Sequence, residues 1–218
     1  MTYQIAIDGP AGAGKSTIAK AVAKKMGYIY VDTGAMYRAM ALYLLRRGIS
    51  AAEPEKISAA SHDADITIVY KEGLQQVLLN GENVTGLLRT EEVGNMASAS
   101  SVNKDVRLKL VELQRALAER ENVVMDGRDI GTYVLPKANV KVYLTASSAC
   151  RAKRRYDELA AKGEACDLAA IEADIIERDK RDMEREFAPL RQAEDAVYVD
   201  SSDMTIDQVI QTITDLIH

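Results

Sequence analysis

The sequence predicts an α/β fold built on a parallel sheet, and three observations predict it. Five short apolar runs (Tyr3–Ile7, Tyr28–Val31, Val123–Met125, Val140–Leu144 and Val197–Val199) are rich in Val, Ile and Tyr and tend to be apolar on both faces, as strands covered on both sides are. Segments with helical spacing lie between them. A glycine-rich loop, GPAGAGKS from Gly9 to Ser16, joins the first strand to the first helical segment and matches GxxxxGK(S/T).

The helical segments follow in order. Ile18, Val22 and Met26 recur at i, i+4 and i+8 behind the loop. Ala35–Arg46 is helical in composition and stops before Gly48, and Val106–Arg120 sets Leu110, Leu113 and Leu117 on one face. Ala149–Lys162 stops at Gly163, Asp167–Glu186 is long and charged, and a last helix begins near Thr205, where Gln208 completes a capping box. One stretch departs from the alternation. Asp65–Tyr70 and Leu74–Leu79 are separated by Lys71-Glu72-Gly73 and followed by Asn80-Gly81, a type I′ turn signal, so consecutive hairpins predict a small antiparallel insert at about 64–90. No internal repeat or low-complexity linker divides the chain, and residues 1–218 read as a single domain.

Length and composition limit the function. The 218 residues suit one compact domain with a substantial core, and with ten Tyr, one Phe and no Trp that core is aliphatic. The 28 basic residues against 33 acidic ones give a net charge of −5, which speaks against nucleic acid or an anionic membrane as partner. Cys150 and Cys166 lack metal-ligand spacing and read as reduced thiols. The N-terminal residues carry no signal-peptide pattern and no apolar run reaches membrane-spanning length, so a cytoplasmic protein is expected.

The loop carries the first chemistry. Its glycines let successive amides turn inward on phosphate oxygens, and the helix that follows adds its N-terminal dipole. Gly9, Ala11, Gly12, Ala13, Gly14, Lys15, Ser16 and Thr17 are therefore the expected ATP-binding residues, with Lys15 on the β/γ-phosphates and the Ser16 hydroxyl on Mg²⁺. A GTPase is disfavoured. The nearest approach to its NKxD motif, Asn103-Lys104-Asp105-Val106, has Asp one position early and precedes a helical pattern. The length fits a kinase of small molecules best.

Three further clusters fall where acceptor contacts belong. Asp32–Arg38 follows the second strand and Asp126–Thr132 the third, and residues past carboxyl strand ends face the ligand crevice of such a sheet. In the long charged segment Arg178, Arg181, Asp182 and Arg185 fall at i, i+3, i+4 and i+7, on one helix face. With Arg151, Arg154 and Arg155 before Gly163 they suggest an arginine-rich lid, about 151–191, closing over phosphates that planar guanidinium forks bind well. The residues alone leave open another acceptor, such as UMP, AMP, dTMP or shikimate, and a nucleotide-binding switch without turnover.

DGPAGAGKST (8–17), DTGAMYR (32–38), RTEEVGNMAS (89–98), DGRDIGT (126–132) and ERDKRD with a following Arg185 and APL (177–190) together resemble the bacterial cytidylate kinases, within the nucleoside monophosphate kinases, along essentially the whole chain. The resemblance implies a P-loop nucleoside monophosphate kinase core with a five-stranded parallel sheet, a mobile helical lid and an acceptor-site insert. It implies transfer of the γ-phosphoryl group of ATP to CMP or dCMP, with Mg²⁺; a monomer is expected. By motif, Arg38, Arg128 and Arg185 would hold the acceptor phosphate; Ser98, Arg107 and Asp129 would read cytosine; Arg178 and Asp182 would hold the sugar hydroxyls; and Thr33 and Tyr37 would complete the pocket. Lys15, Arg128, Arg181 and Arg185 would act on the transferring group and Arg154 on the donor. Thr33 stands where many relatives have Ser; the hydroxyl is kept.

Overall fold

The computed structural model describes residues 2–217. The strands are β1 (Gln4–Asp8), β2 (Ile29–Asp32), β3 (Ile66–Lys71), β4 (Leu74–Leu79), β5 (Glu82–Asn83), β6 (Val123–Gly127), β7 (Val140–Thr145) and β8 (Val197–Asp200). The helices are α1 (Lys15–Met26), α2 (Thr33–Arg46), α3 (Pro54–Asp63), α4 (Glu91–Ser100), α5 (Lys104–Arg120), α6 (Ser148–Ala161), α7 (Leu168–Glu184) and α8 (Ile206–Thr214). The five expected core strands form one parallel sheet in the order β2-β6-β1-β7-β8.

Side chains alternate between two cores because successive residues of a strand point to opposite faces. Ile5, Ile7, Val124, Val142 and Leu144 pack with Ile18 and Val22 of α1 and Val209 and Ile213 of α8. Ala6, Val31, Val123 and Met125 pack with Met36 and Met40 of α2 and Leu110 of α5 on the other face. Both faces are covered, which is why these strands read as nearly continuous apolar runs.

The chain leaves β1 toward the β2 edge of the sheet and leaves the neighbouring β6 toward β7 on the other side, so the crevice opens at the carboxyl ends of β1 and β6. Three carboxylates gather there: β1 and β2 end in Asp8 and Asp32, and Asp126 is the last residue but one of β6. Asp32 faces Asp126 in register across β2 and β6, and Asp8 is paired with Gly127 across β1 and β6.

The insert is a three-stranded antiparallel sheet, β3-β4-β5. Asn80 and Gly81 both have positive φ, 50° and 81°, as the Asn-Gly turn requires. The insert also covers the free edge of β2. The Gln75 amide accepts from the Asp32 N–H (2.8 Å) and donates to the Asp32 carbonyl (3.3 Å), and the Tyr70 hydroxyl donates to the Tyr30 carbonyl (3.1 Å). An edge so capped has no free ladder groups at Asp32 for another chain.

Two helices were not foreseen. α3 begins on Pro54, and α4 begins behind Thr90, whose hydroxyl accepts from the Val93 amide, with Glu91 and Glu92 in its first turn. Both carry ordinary start signals, but each is only ten residues long, too short for a clear periodicity. The expected Asp167–Glu186 helix is shorter than its pattern: Asp167 is the N-cap, and α7 ends at Glu184. Arg185 leaves the helix at φ −60°, ψ 138°, four residues ahead of Pro189. Gly163, at φ 76°, turns the chain between α6 and α7.

Candidate functional site

A single cleft of about 740 Å³ opens at the carboxyl end of the sheet and takes in both halves of the predicted site. On the donor side Ala11, Gly12, Ala13, Gly14, Lys15, Ser16 and Thr17 line it, with Arg154 from α6. Gly9 does not; it serves the loop's shape. A Cβ there would stand 1.9 Å from the Leu144 carbonyl oxygen, so only glycine lets the loop leave β1 this close to β7. Gly14, at φ 84°, turns the chain into α1.

Ala11 departs from the expectation that its amide faces phosphate. That N–H donates to Asp179 Oδ1 (3.1 Å), and its carbonyl accepts from Arg151 Nη1 (2.8 Å). Arg151 and Asp179 are themselves paired at 2.6 Å, so α6 and α7 both grip the tip of the loop. Arg154 Nη2 donates to the Ser201 carbonyl (2.7 Å), tying α6 to the segment after β8.

Lys15 is buried, with Nζ donating to the Pro10 carbonyl (2.7 Å). Burial, then the nearby Arg128 charge, push its ammonium down to about 7. Ser16 Oγ donates to Asp126 Oδ2 (2.9 Å), and the Tyr30 hydroxyl donates to Asp126 Oδ1 (2.8 Å). Burial and the facing Asp32 carboxylate push Asp126 up to about 6, the mark of a buried acidic pair short of positive charge. A hydroxyl and a carboxylate at the foot of a phosphate loop fit Mg²⁺, which keeps waters and substrate phosphates in its shell. Among the described residues no cluster of three or more His, Cys, Asp or Glu could hold a metal by itself.

The acceptor side is built from side chains. Thr33, Tyr37, Arg38, Ser98 and Arg107 line it, as do Arg128, Asp129, Arg178, Asp182 and Arg185. Thr33 Oγ1 donates to the Asp126 carbonyl (2.6 Å), joining α2 to β6. Arg107, 1% exposed, donates to Asp129 Oδ2 at 2.6 Å and stands 5.4 Å from the Tyr37 ring centroid. Burial works against its charge, but Tyr37 and Asp129 outweigh burial and hold the guanidinium above its usual range. Arg185 donates to Asp129 Oδ1 (3.3 Å) and stands 3.7 Å from Asp182, and Arg128 Nε donates to Asp182 Oδ2 (2.8 Å). Burial would raise Asp182, yet the Arg128 charge and hydrogen bond leave it below the ordinary carboxylate value.

Among the described residues, the ion pairs of five arginines on this wall, Arg38, Arg107, Arg128, Arg178 and Arg185, go to only two carboxylates, Asp129 and Asp182. The other carboxylates of the cleft are engaged elsewhere, Asp32 with Arg89, Asp126 with Ser16 and Tyr30, and Glu158 with Arg155 and Lys162. The excess is felt at three of the five: burial and Arg107 lower Arg185 even beside Asp129 and Asp182, and the other two bond no carboxylate among the described residues. Burial, then Arg128, lower Arg178 to about 10, and its buried Nε has no hydrogen-bond partner; burial and Arg89 lower Arg38. Arg181 is not part of the cleft wall. It donates to Ser98 Oγ (2.9 Å) and to Glu177 (2.9 Å), so its place is behind a base-contacting candidate rather than on the transferring group.

Sequence reasoning gave no role to Asp8, Asp32, Arg89 or Asp179. Three of these were within reach of it: Asp8 and Asp32 are the last residues of their strands, as Asp126 is the last but one of its own, and Arg89 opens the RTEEVGNMAS segment and donates to Asp32 Oδ2 (2.8 Å).

A loop for a polyphosphate and an arginine wall for a second anion, facing one another across one cleft, define a P-loop kinase whose acceptor is itself phosphorylated. The chain belongs to the cytidylate kinase family, which it matches over residues 5–218. It is therefore an ATP-dependent nucleoside monophosphate kinase. A cytidylate kinase of Caldicellulosiruptor saccharolyticus is 52% identical over 214 residues, 98% of this chain and 95% of that one. One of Bacillus subtilis is 46% identical over 213 residues, 98% of this chain and 95% of that one. Among solved structures, a gluconokinase from Sinorhizobium meliloti has TM-score 0.50 at 14% identity, covering 98% of this chain and 91% of that one, a likeness of fold alone. An uncharacterized protein from Eubacterium ventriosum has TM-score 0.53 at 15% identity, covering 100% and 98%. No helix among the described residues is long and apolar enough to cross a membrane.

Proposed function

We propose that the chain transfers the γ-phosphoryl group of ATP to CMP or dCMP, releasing ADP and CDP or dCDP. The observation that carries the reading is the charge surplus of the acceptor wall, five arginines against two aspartates, beside Lys15. A monophosphate dianion supplies the missing negative charge, and guanidinium forks suit its oxygens.

The nucleophile is an oxygen of the acceptor phosphate. Its second pKa is about 6, so it is already ionised at neutral pH and needs no general base. That oxygen bonds to the γ-phosphorus as the bond to the β,γ-bridging oxygen breaks, and the electron pair leaves with ADP. The chain brings two polyanions into line and neutralises them: the loop amides and Lys15 on the donor, Arg128 and Arg185 between the two, Arg38 on the acceptor phosphate. Bound Mg²⁺, held through Ser16 with Asp126 beside it, supplies compensating charge on the donor phosphates. The lid arginines close the cleft against water that would otherwise take the phosphoryl group.

Asp129 reads the base. Cytosine offers an N4 amino donor where uracil offers the O4 acceptor, and a carboxylate can only accept. Its two oxygens have about four acceptor sites, so the contacts to Arg107 and Arg185 leave room for N4. Ser98 and Arg107 face the N3 and O2 edge, and Arg178 and Asp182 hold the sugar. The test is four kcat/KM values, wild type and Asp129→Ala against CMP and UMP. The wild type favours CMP by more than about tenfold, and the variant loses most of its activity on CMP and much less on UMP. A variant that keeps the wild-type ratio removes Asp129 from base reading.

A further inference from the structure

We propose that Asp8 is a positioning residue for acceptor recognition: its carboxylate clamps the amides of Ile130 and Gly131 and thereby sets where Arg128 and Asp129 stand. The proposal rests on the roles of Arg128 and Asp129 given above.

Asp8 is the last residue of β1, directly before the donor loop, and only 5% exposed. None of the ion pairs among the described residues includes it. Instead Oδ1 accepts from the Ile130 N–H at 2.8 Å and Oδ2 from the Gly131 N–H at 2.7 Å. A buried carboxylate without a cationic partner is costly to keep, and both of its oxygens are given to this one segment.

The segment begins a wide helical turn, Ile130–Val134, in which the Val134 amide reaches back to the Asp129 carbonyl (3.1 Å) and the Leu135 amide to the Ile130 carbonyl (2.7 Å). The first amides of such a turn have no partner within it, and Asp8 supplies one from another strand. On the other side, Asp8 is paired with Gly127 in the β1–β6 ladder. Only Arg128 and Asp129 lie between Gly127 and Ile130. Asp8 thus fixes both ends of a two-residue span, one end by strand pairing and the other by its carboxylate. The two side chains on that span are the ones bonded to Asp182, Arg107 and Arg185. Displacement by about 1 Å of a group that positions a substrate can cost on the order of a hundredfold in rate.

The experiment uses Asp8→Asn in the full chain. Asn keeps the size but turns an N–H₂ toward one of the two amides, so one hydrogen bond is lost. Expected are a fall in kcat/KM for CMP of about tenfold or more, a KM for CMP that rises while that for ATP stays within about twofold, and a lower CMP-to-UMP ratio. Equal losses on both acceptors, with the two KM values moving together, would assign Asp8 to folding alone and overturn the proposal. Gly131→Ala gives a second arm, because its methyl would stand 3.4 Å from Asp8 Oδ2 and 3.2 Å from Lys141 Cδ, crowding the clamp without removing charge. It lowers the ratio in the same direction by less, and the two changes combine to less than the sum of their effects. If Asp8→Asn does not fold, Gly131→Ala decides alone: an unchanged ratio with unchanged KM for CMP overturns the proposal. Asp129→Ala is measured alongside. If it leaves the ratio intact, the base-reading assignment has failed by itself, and the clamp is then judged by the split between the two KM values through Arg128.

Discussion

In the proposed reaction the donor loop, Gly9–Ser16, would hold its anion with backbone amides, one lysine and a helix end. The acceptor wall would hold its anion with arginines drawn from α2, α5, α7, the residue after β6 and the residue after α7. Backbone donors are fixed by the fold and cost no charge. Guanidinium groups in a buried wall repel one another and need carboxylates between them, and Asp129 and Asp182 serve that need. The donor half can therefore be compact and general for polyphosphates. The acceptor half has to be an assembled network, and its carboxylates are then at hand for reading base and sugar.

The comparison can be broken first at the metal. A loop with one lysine cannot offset a triphosphate, so EDTA abolishes turnover and added Mg²⁺ restores it. Full turnover in metal-free buffer would mean that the loop neutralises ATP unaided. Lys15→Ala comes next: kcat falls on the order of 10² or more, since the lost contact is made on the transferring group. A near-wild-type kcat would place Lys15 outside the reaction.

On the acceptor side a single change touches several partners. Asp182→Ala removes the carboxylate bonded to Arg128 and near Arg185, so kcat/KM falls about tenfold on both CMP and dCMP, and unequally because a hydroxyl contact is also lost. An unchanged CMP-to-dCMP ratio would leave Asp182 with the arginines only. The smallest effect is a proton. Burial and the Arg128 charge push Lys15 down to about 7 in the free enzyme, and phosphate oxygens raise it. At pH 8 the free side chain is mostly neutral and the complex charged, so an ATP analogue binding in EDTA takes up as much as about one proton. At pH 6 the uptake shrinks, because the free side chain is already charged. Calorimetry in two buffers of different ionisation enthalpy measures it, and Lys15→Ala removes the pH 8 uptake. Proton release, or the same uptake in the variant, would contradict this account of Lys15.

Much of this was legible in residue order. The parallel strands, the loop and the hairpin insert followed from apolar runs, glycine spacing and an Asn-Gly turn, each a property of a few neighbouring residues. The short helices α3 and α4 escaped because ten residues give too little periodicity to stand out. The arginine positions of α7 pointed to one helix face, and Arg178 and Asp182 do meet the cleft. Arg181, spaced as a fellow of theirs, turns to Ser98, and Arg185 reaches Asp129 only after leaving the helix.

By itself the sequence determined the phosphate loop, the strand–helix alternation and the inventory of charged groups at strand ends, because these depend on local backbone preference and on side-chain type. Only the tertiary structure decided which charges meet. Arg107 and Asp129 are 22 positions apart, Arg128 and Asp182 54, and Ala11 and Asp179 168. Such pairings are chosen by strand register and helix packing, which bring the ends of β1, β2 and β6 side by side and pack α6 and α7 against the loop. A carboxylate's partner is whatever the packed chain sets within hydrogen-bond reach, and no local rule of sequence encodes that distance.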